Sequence, residues 1–224
     1  MPIEIRHRET GKTLCQLSLE TLEGANLSSM ALAYADLAGL DLRGAILDIA
    51  DLRHADLRGA RLDGTSLQNA CLADAELDGC HAPGADFSNA QTPRASFAEA
   101  TLTRCSFRYA DLSAAKLTMA SMSDCDLSMA TLRGDFAGAK LNRCDLRSSD
   151  LTGACLRKTS LRNAQLDGAI LLGADLTGAN LDGAKLVGAK LTGAILKGTL
   201  LDGAKPSAPV GRTKPKGPWW KVWK

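Results

Sequence analysis

The chain is short of almost everything that usually announces a function. Aromatic residues make up 4% of its 224 residues, yet apolar residues reach 45%. A core must therefore be built from Leu and Ala rather than from rings. No run approaches the ~20 apolar residues of a membrane span. The opening "MPIEIRHRETGK" has no apolar stretch of signal-peptide length, so a cytoplasmic protein is the expectation. The formal net charge is only +2. Residues 205–224 carry six Lys or Arg and no acid, which leaves residues 1–204 with 21 bases against 25 acids. The whole chain is thus neither a strong polyanion nor a strong polycation, and the sum hides an asymmetry between its two parts.

Catalytic patterns are also missing. There is no phosphate-binding loop, no G-x-S-x-G and no metal-binding helix. The seven cysteines include no C-x-x-C spacing. The three histidines, His7, His54 and His81, lie far apart and beside no nucleophile pattern. A core packed with Leu and Ala leaves no concave pocket of small-molecule size. These absences predict a non-enzyme with no cofactor, no metal, no small-molecule substrate and no direct nucleic-acid binding.

What is present is a period. In "ADLTGANLDGAKLVGAKLTGAIL" Leu returns at 176, 181, 186, 191 and 196, with Ala two places before each. Helices favour apolar spacing near 3.6 and strands near 2. From Leu27 to Leu132 the central positions fall every five residues, and from Phe136 to Leu201 they do so again. Of these 36 positions, 29 hold Leu and four hold Phe. The slot two places earlier holds Ala in 25 of 36 repeats. No charged residue occupies either slot. A buried charge without a partner costs several kcal/mol, so both slots are expected to face inward. Five residues with two inward side chains fit one short extended side and one tight turn. Four such units close a square coil, and coils stack at ~4.8 Å into a rod of about nine coils and roughly 43 Å. Seventeen of the 21 Gly fall two places after a central residue, where a turn of positive φ tolerates them best.

The tandem units "ADLTG", "ANLDG", "ADLAG" and "ADLRG" resemble the pentapeptide-repeat family. That resemblance implies an all-β fold, a right-handed quadrilateral β-helix. It also implies kinship with quinolone-resistance members that present an anionic, DNA-like rod to type II topoisomerases. Here residues 15–204 carry 18 bases and 23 acids, and no face is a continuous polyanion. An acidic row is nevertheless expected where Asp36, Asp56 and Glu76 stack, with Asp78 beside them. This row is the candidate DNA-mimic patch, although Arg58 stands next to Asp56.

Three zones depart from the pattern. Residues 1–24 read as an N-terminal hairpin cap, 25–204 as the β-helix, and 205–224 as a Pro/Lys-rich linker and Trp-rich tail. The spacing is four between Leu132 and Phe136, so Gly134 must act both as a turn residue and as the next small inward residue, with a dent in one corner. Pro83 and Pro93 cannot donate to a ladder, and Ala82 and Thr92 underfill the core, so an irregular zone is expected there, with Phe87, Phe97 and Phe107 compensating. The tail holds Trp219, Trp220 and Trp223, every Trp of the chain. It either folds back on the last coil or seals a dimer, docks in a partner protein, or lies on an anionic membrane or nucleic acid. Ile195 and Leu200, apolar at outward slots of the last coil, favour the first two. The function that follows is a non-catalytic protein-interaction scaffold, with a type II topoisomerase modulator as the alternative.

Overall fold

The computed structural model describes residues 2–206. It opens with an antiparallel hairpin of β1 (Ile3–His7) and β2 (Thr13–Leu17). Beyond it the chain winds as a four-sided coil. Each extended side forms a parallel bridge to the residue 20 places on, as in Asp36↔Asp56 and Asp56↔Glu76. The central Leu residues from Leu27 to Leu191 are buried, in one continuous core with the Ala column. The four sides are named by their stacks: first (Leu27, Leu47, Leu67), second (Leu32, Leu52, Leu72), third (Leu37, Leu57, Leu77) and fourth (Leu42, Leu62, Ala82).

The backbone explains the motif residue by residue. The central N–H donates to the next coil (Leu57 to Glu76 O, 2.7 Å), and so does the N–H two places later (Gly59 to Asp78 O, 3.0 Å). The N–H before the centre donates to the previous coil (Asp56 to Ala35 O, 2.9 Å). The small residue closes the turn (Ala60 to Leu57 O, 3.0 Å). Only the residue just after the centre has no backbone acceptor. The Asp or Asn preceding the centre accepts that N–H, as Asp56 Oδ1 does from Arg58 at 3.1 Å and Asn180 Oδ1 from Asp182 at 2.9 Å. This is an Asx-type bond, and it is the reason for Asp/Asn in A-[D/N]-L.

The same accounting corrects the expectation at Pro83 and Pro93. Both occupy the one slot whose N–H the ladder does not use, and both carbonyls accept a 3.0 Å bond from the previous coil. The turns that follow are regular, with Gly84 at φ 70° and Arg94 at φ 59°. The residues that would cap the missing N–H are His81 and Gln91 rather than Asp. The core beside them is filled by rings. Phe87 and Phe107 stack at 4.6 Å, and Phe97 meets them edge-on at 5.9 and 6.0 Å from the opposite side. Thr92 keeps its hydroxyl satisfied on Asp111 O at 2.9 Å.

Gly134 serves as the small inward residue, without the positive φ found at the other corner glycines. Pairing shortens to 19 residues for one coil (Lys116↔Asp135 to Thr131↔Asp150) and returns to 20 at Asp135↔Cys155. The dent is one missing turn, and the stack runs through it. Leu22 is already buried like a central residue, and β5 (Lys205–Pro206) pairs in parallel with β4 (Lys185–Leu186). One inward assignment fails: Leu40 is 36% exposed, because the coil beneath its corner has not yet begun.

Candidate functional site

The acidic row forms as a row, but it is already occupied. β1 adds antiparallel to the first coil at β3 (Ala35–Asp36), pairing Arg6 with Asp36 and His7 with Ala35. This delivers Arg8 onto the third side. Its guanidinium binds Glu76 at 2.8 Å and His54 O at 3.2 Å, and lies 3.9 Å from Asp56. Arg58 grips Asp56 through two bonds of 2.8 and 2.5 Å and approaches Glu76 at 3.3 Å. Asp56 is buried, and the Arg58 guanidinium holds its carboxyl below the usual range against the opposing effect of burial. Asp78 accepts from the Ser96 hydroxyl at 2.5 Å and the Ala98 N–H at 2.9 Å. The row thus anchors the N-terminal cap through the Arg8 guanidinium, while Arg58 from the coil itself neutralises it further. Nearby, His7, Tyr34 and His54 form a ring stack at 5.1 and 4.6 Å that continues the same junction. Sequence reasoning missed this role because Arg8 lies outside the repeating frame.

The thiols are filler. Cys80, Cys105, Cys125 and Cys144 are buried at the small inward slot. Cys105, Cys125 and Cys144 stack on successive coils and donate to Ala82 O, Leu102 O and Met122 O at 2.8 to 2.9 Å. Burial pushes the Cys80 thiol up to about 12. Among the described residues no group of three or more His, Cys, Asp or Glu is placed to hold a metal ion. One buried carboxylate oxygen, Asp63 Oδ2, accepts no hydrogen bond among the described residues and lies 3.1 Å from His81 Nδ1.

Several exposed apolar groups on the walls sit at corners where glycine would be expected, Ile49 and Met119 the most exposed of them at 63%. Tyr109 and Met129 have φ 59° and 58° and are each 50% exposed. They stack on consecutive coils at the corner that ends the first side. A left-handed conformation costs a non-glycine residue roughly 1–2 kcal/mol. Beside them runs an open groove of about 380 Å³, lined in part by Arg108, Asp126, Ser128, Met129, Arg147 and Asp167. Arg147 is committed to Asp145. Arg108 instead lies 5.1 Å from the centre of the Tyr109 ring. Of the fourteen arginines in the described residues, twelve have a carboxylate within 4.0 Å, and Arg104 and Arg108 do not. Such a guanidinium beside exposed Tyr and Met has the composition of a protein-binding hot spot. The sequence signal was available: a bulky apolar residue two places after a central one.

Ile195 and Leu200 are 50% and 54% exposed on the last coil. Trp219, Trp220 and Trp223 lie outside the described residues.

The family model of pentapeptide repeats matches eight copies, over residues 21–48, 50–81, 83–118, 95–134, 135–164 and 159–198. The chain belongs to the pentapeptide-repeat family. Its coil is accordingly the right-handed quadrilateral β-helix of that family. Among solved structures, it is similar to HetL, a pentapeptide-repeat protein involved in heterocyst differentiation regulation from the cyanobacterium Nostoc sp. strain PCC 7120. The identity is 32%, covering 86% of this chain and 88% of HetL, with a TM-score of 0.80. It also resembles full-length QnrB1, a plasmid-mediated fluoroquinolone resistance protein, at 20% identity over 66% of this chain and 85% of that one, with a TM-score of 0.52. The second likeness is one of fold. No curated protein sequence matches the chain.

Proposed function

We propose that this pentapeptide-repeat rod is a non-catalytic regulatory module that binds a protein partner on its first side. The observation that carries the reading is the corner at Tyr109 and Met129. Two large apolar side chains are held there in a costly backbone conformation, half in water, beside an arginine with no carboxylate of its own. The left-handed conformation recurs at this corner slot along the rod, at nineteen non-glycine residues among those described, so what sets this corner apart is the pairing of exposed apolar side chains with Arg108. The similarity to HetL, a protein involved in regulating heterocyst differentiation, supports the same class of function. The partner this wall fits offers an apolar side chain for the Tyr109–Met129 corner and a carboxylate for Arg108.

Affinity capture with the full chain tests it. Tyr109→Ala, Met129→Ala and Arg108→Glu are compared with a chain truncated after Lys205. The wall variants lose a captured protein that the truncated chain keeps, at unchanged thermal stability. An identical captured set from every variant refutes the proposal.

Topoisomerase modulation is the second reading, favoured by the shared fold of QnrB1. It requires an available anionic surface, since phosphate charge dominates DNA binding. In the row, Asp56 and Glu76 are paired with Arg8 and Arg58, which weighs against it. Gyrase supercoiling assayed at micromolar protein, with and without a quinolone, decides; no effect removes this reading.

A further inference from the structure

The corner at Tyr109 and Met129 belongs to a longer pattern on the first side. Six coils of that side, from the one centred on Leu27 to the one centred on Leu127, stack 20 residues apart without a break. Each offers three outward columns: the residue before the centre, the one after it, and the corner. Over these six coils the large apolar residues of the corner column are Ile49, Tyr109 and Met129, all exposed. Ile49 lies three coils, ~14 Å, from Tyr109. The column after the centre holds only two charges, Asp48 and Arg108, separated by the same three coils. Neither charge is paired within the rod. Arg108 rests on the Tyr109 ring with no carboxylate in reach. Asp48 forms no ion pair among the described residues; its Oδ1 accepts from the Ser66 hydroxyl at 2.5 Å and the Gln68 N–H at 3.0 Å.

Equal spacing of complementary groups makes the side complementary to itself. When two rods lie antiparallel, first side against first side, a two-fold axis sets each column on its own column with the coil order reversed. Placing the second coil against the fifth seats Ile49 of one copy on Tyr109 of the other, beside Met129, and Asp48 on Arg108. Each contact is made twice. No like charges meet elsewhere in the overlap, where Asp86 faces Ser66 and Asp126 faces Asn26. Other registers are worse. A slide of one coil in one direction sets Asp86 on Asp86; in the other it leaves Ile49 on Asn89 and Arg108 on Ser28. Parallel rods set Asp48 on Asp48 and Arg108 on Arg108. Like charges held opposite each other across an interface are costly. A second rod also shares the coil spacing of ~4.8 Å, which a helix with a pitch of about 5.4 Å does not.

We propose that the first side binds a second copy of this chain, antiparallel over six coils, with Ile49 on Tyr109 and Asp48 on Arg108. This rests on the partner-binding wall proposed above and names its occupant. The overlap, ~29 Å tall and ~10 Å wide, is smaller than the ~800 Å² per partner of a standard interface. The dimer is therefore a weak one that forms as concentration rises.

Sedimentation equilibrium of the full chain, over a concentration series reaching the millimolar range, reads the association. The average mass of the wild-type chain should climb towards that of two chains. Arg108→Glu and Asp48→Arg should each weaken association about tenfold or more, since each sets like charges opposite. Mixed together, the two variants should associate again, because each then meets the opposite charge in the other; that recovery also shows both to be folded. A wild-type chain that stays monomeric throughout would overturn the proposal. If the affinity capture then still finds a different protein that Tyr109→Ala loses, the wall reading stands without its second copy; if no capture depends on Tyr109, both fall. A dimer indifferent to Arg108→Glu and Asp48→Arg, or variants that stay apart when mixed, would place the contact elsewhere and overturn the proposal as well.

Discussion

Gly134→Ala sets two physical effects against each other, and the structure decides the sign. Gly134 does not have a positive φ, so alanine is compatible with its local backbone. On backbone entropy alone the change should stabilise by about 0.4–1 kcal/mol. The added Cβ, however, would lie 2.5 Å from Ala115 O and 3.3 Å from Leu112 O. Those atoms are backbone, and Ala115 O accepts the 2.9 Å ladder bond from Asp135. They cannot rotate away as a side chain could. Overpacking of this kind costs typically 1–3 kcal/mol, so the net expectation is a loss of about 1–2 kcal/mol. Gly153 is the control: its φ is +66° with nothing within 4 Å of a Cβ, so Gly153→Ala registers only the left-handed penalty. Urea unfolding followed by circular dichroism gives both midpoints. A Gly134→Ala protein as stable as wild type, or more so, would show that the four-residue step is not packed against the preceding coil.

Four further outcomes follow from the same geometry. Ile49 is a β-branched residue at φ 61° and 63% exposed, so Ile49→Asn should raise stability by roughly 1 kcal/mol in thermal melts; a loss would mean the side chain is packed. Arg43 holds Asp41 at about 2, Thr177 and Arg157 hold Asp175 at about 2, and Asp150, which burial pushes upward, is held at about 2 by Arg133 and Thr152. The unfolded chain therefore takes up protons first, so the melting temperature should be level above about pH 5 and fall between about pH 4 and 2; a melting temperature independent of pH across that window would contradict these pairings. Brief alkylation of the native protein should spare Cys80, Cys105, Cys125 and Cys144 and reach only among Cys15, Cys71 and Cys155, as peptide mass mapping reads out. Leu112→Asp should cost several kcal/mol and unravel neighbouring coils, whereas Ser113→Asp, one residue on and facing out, should leave the melting temperature nearly unchanged.

The fold was legible because its determinant is one-dimensional. A five-residue beat of uncharged side chains, as at Leu176, Leu181 and Leu186, needs no knowledge of what stacks on what. The turn glycines and the four-residue step at Gly134 were legible for the same reason. Pro83 and Pro93 were misread because their effect depends on which of five N–H groups the ladder leaves idle, a property of the coil rather than of proline. The acidic row was placed correctly in space, since 20 residues separate its members. Its use was hidden: Arg8 reaches it from a hairpin with no periodic relation to the repeat. Tyr109 and Met129 were overlooked because their slot is outward, and an exposed apolar residue gains meaning only when its backbone conformation and its neighbour Arg108 are known.

Amide exchange resolved by residue examines the backbone of the account itself. In the repeats below the last coil four N–H groups are held by the ladder or the turn, while the one after the central residue has at most a side-chain acceptor. Protection should therefore dip every fifth residue, at positions such as Arg58, Asp63 and Gln68, and step to a spacing of four once, between Arg133 and Ala137. Dips at intervals near 3.6 or 2, or protection with no period, would contradict the stacked four-sided coil.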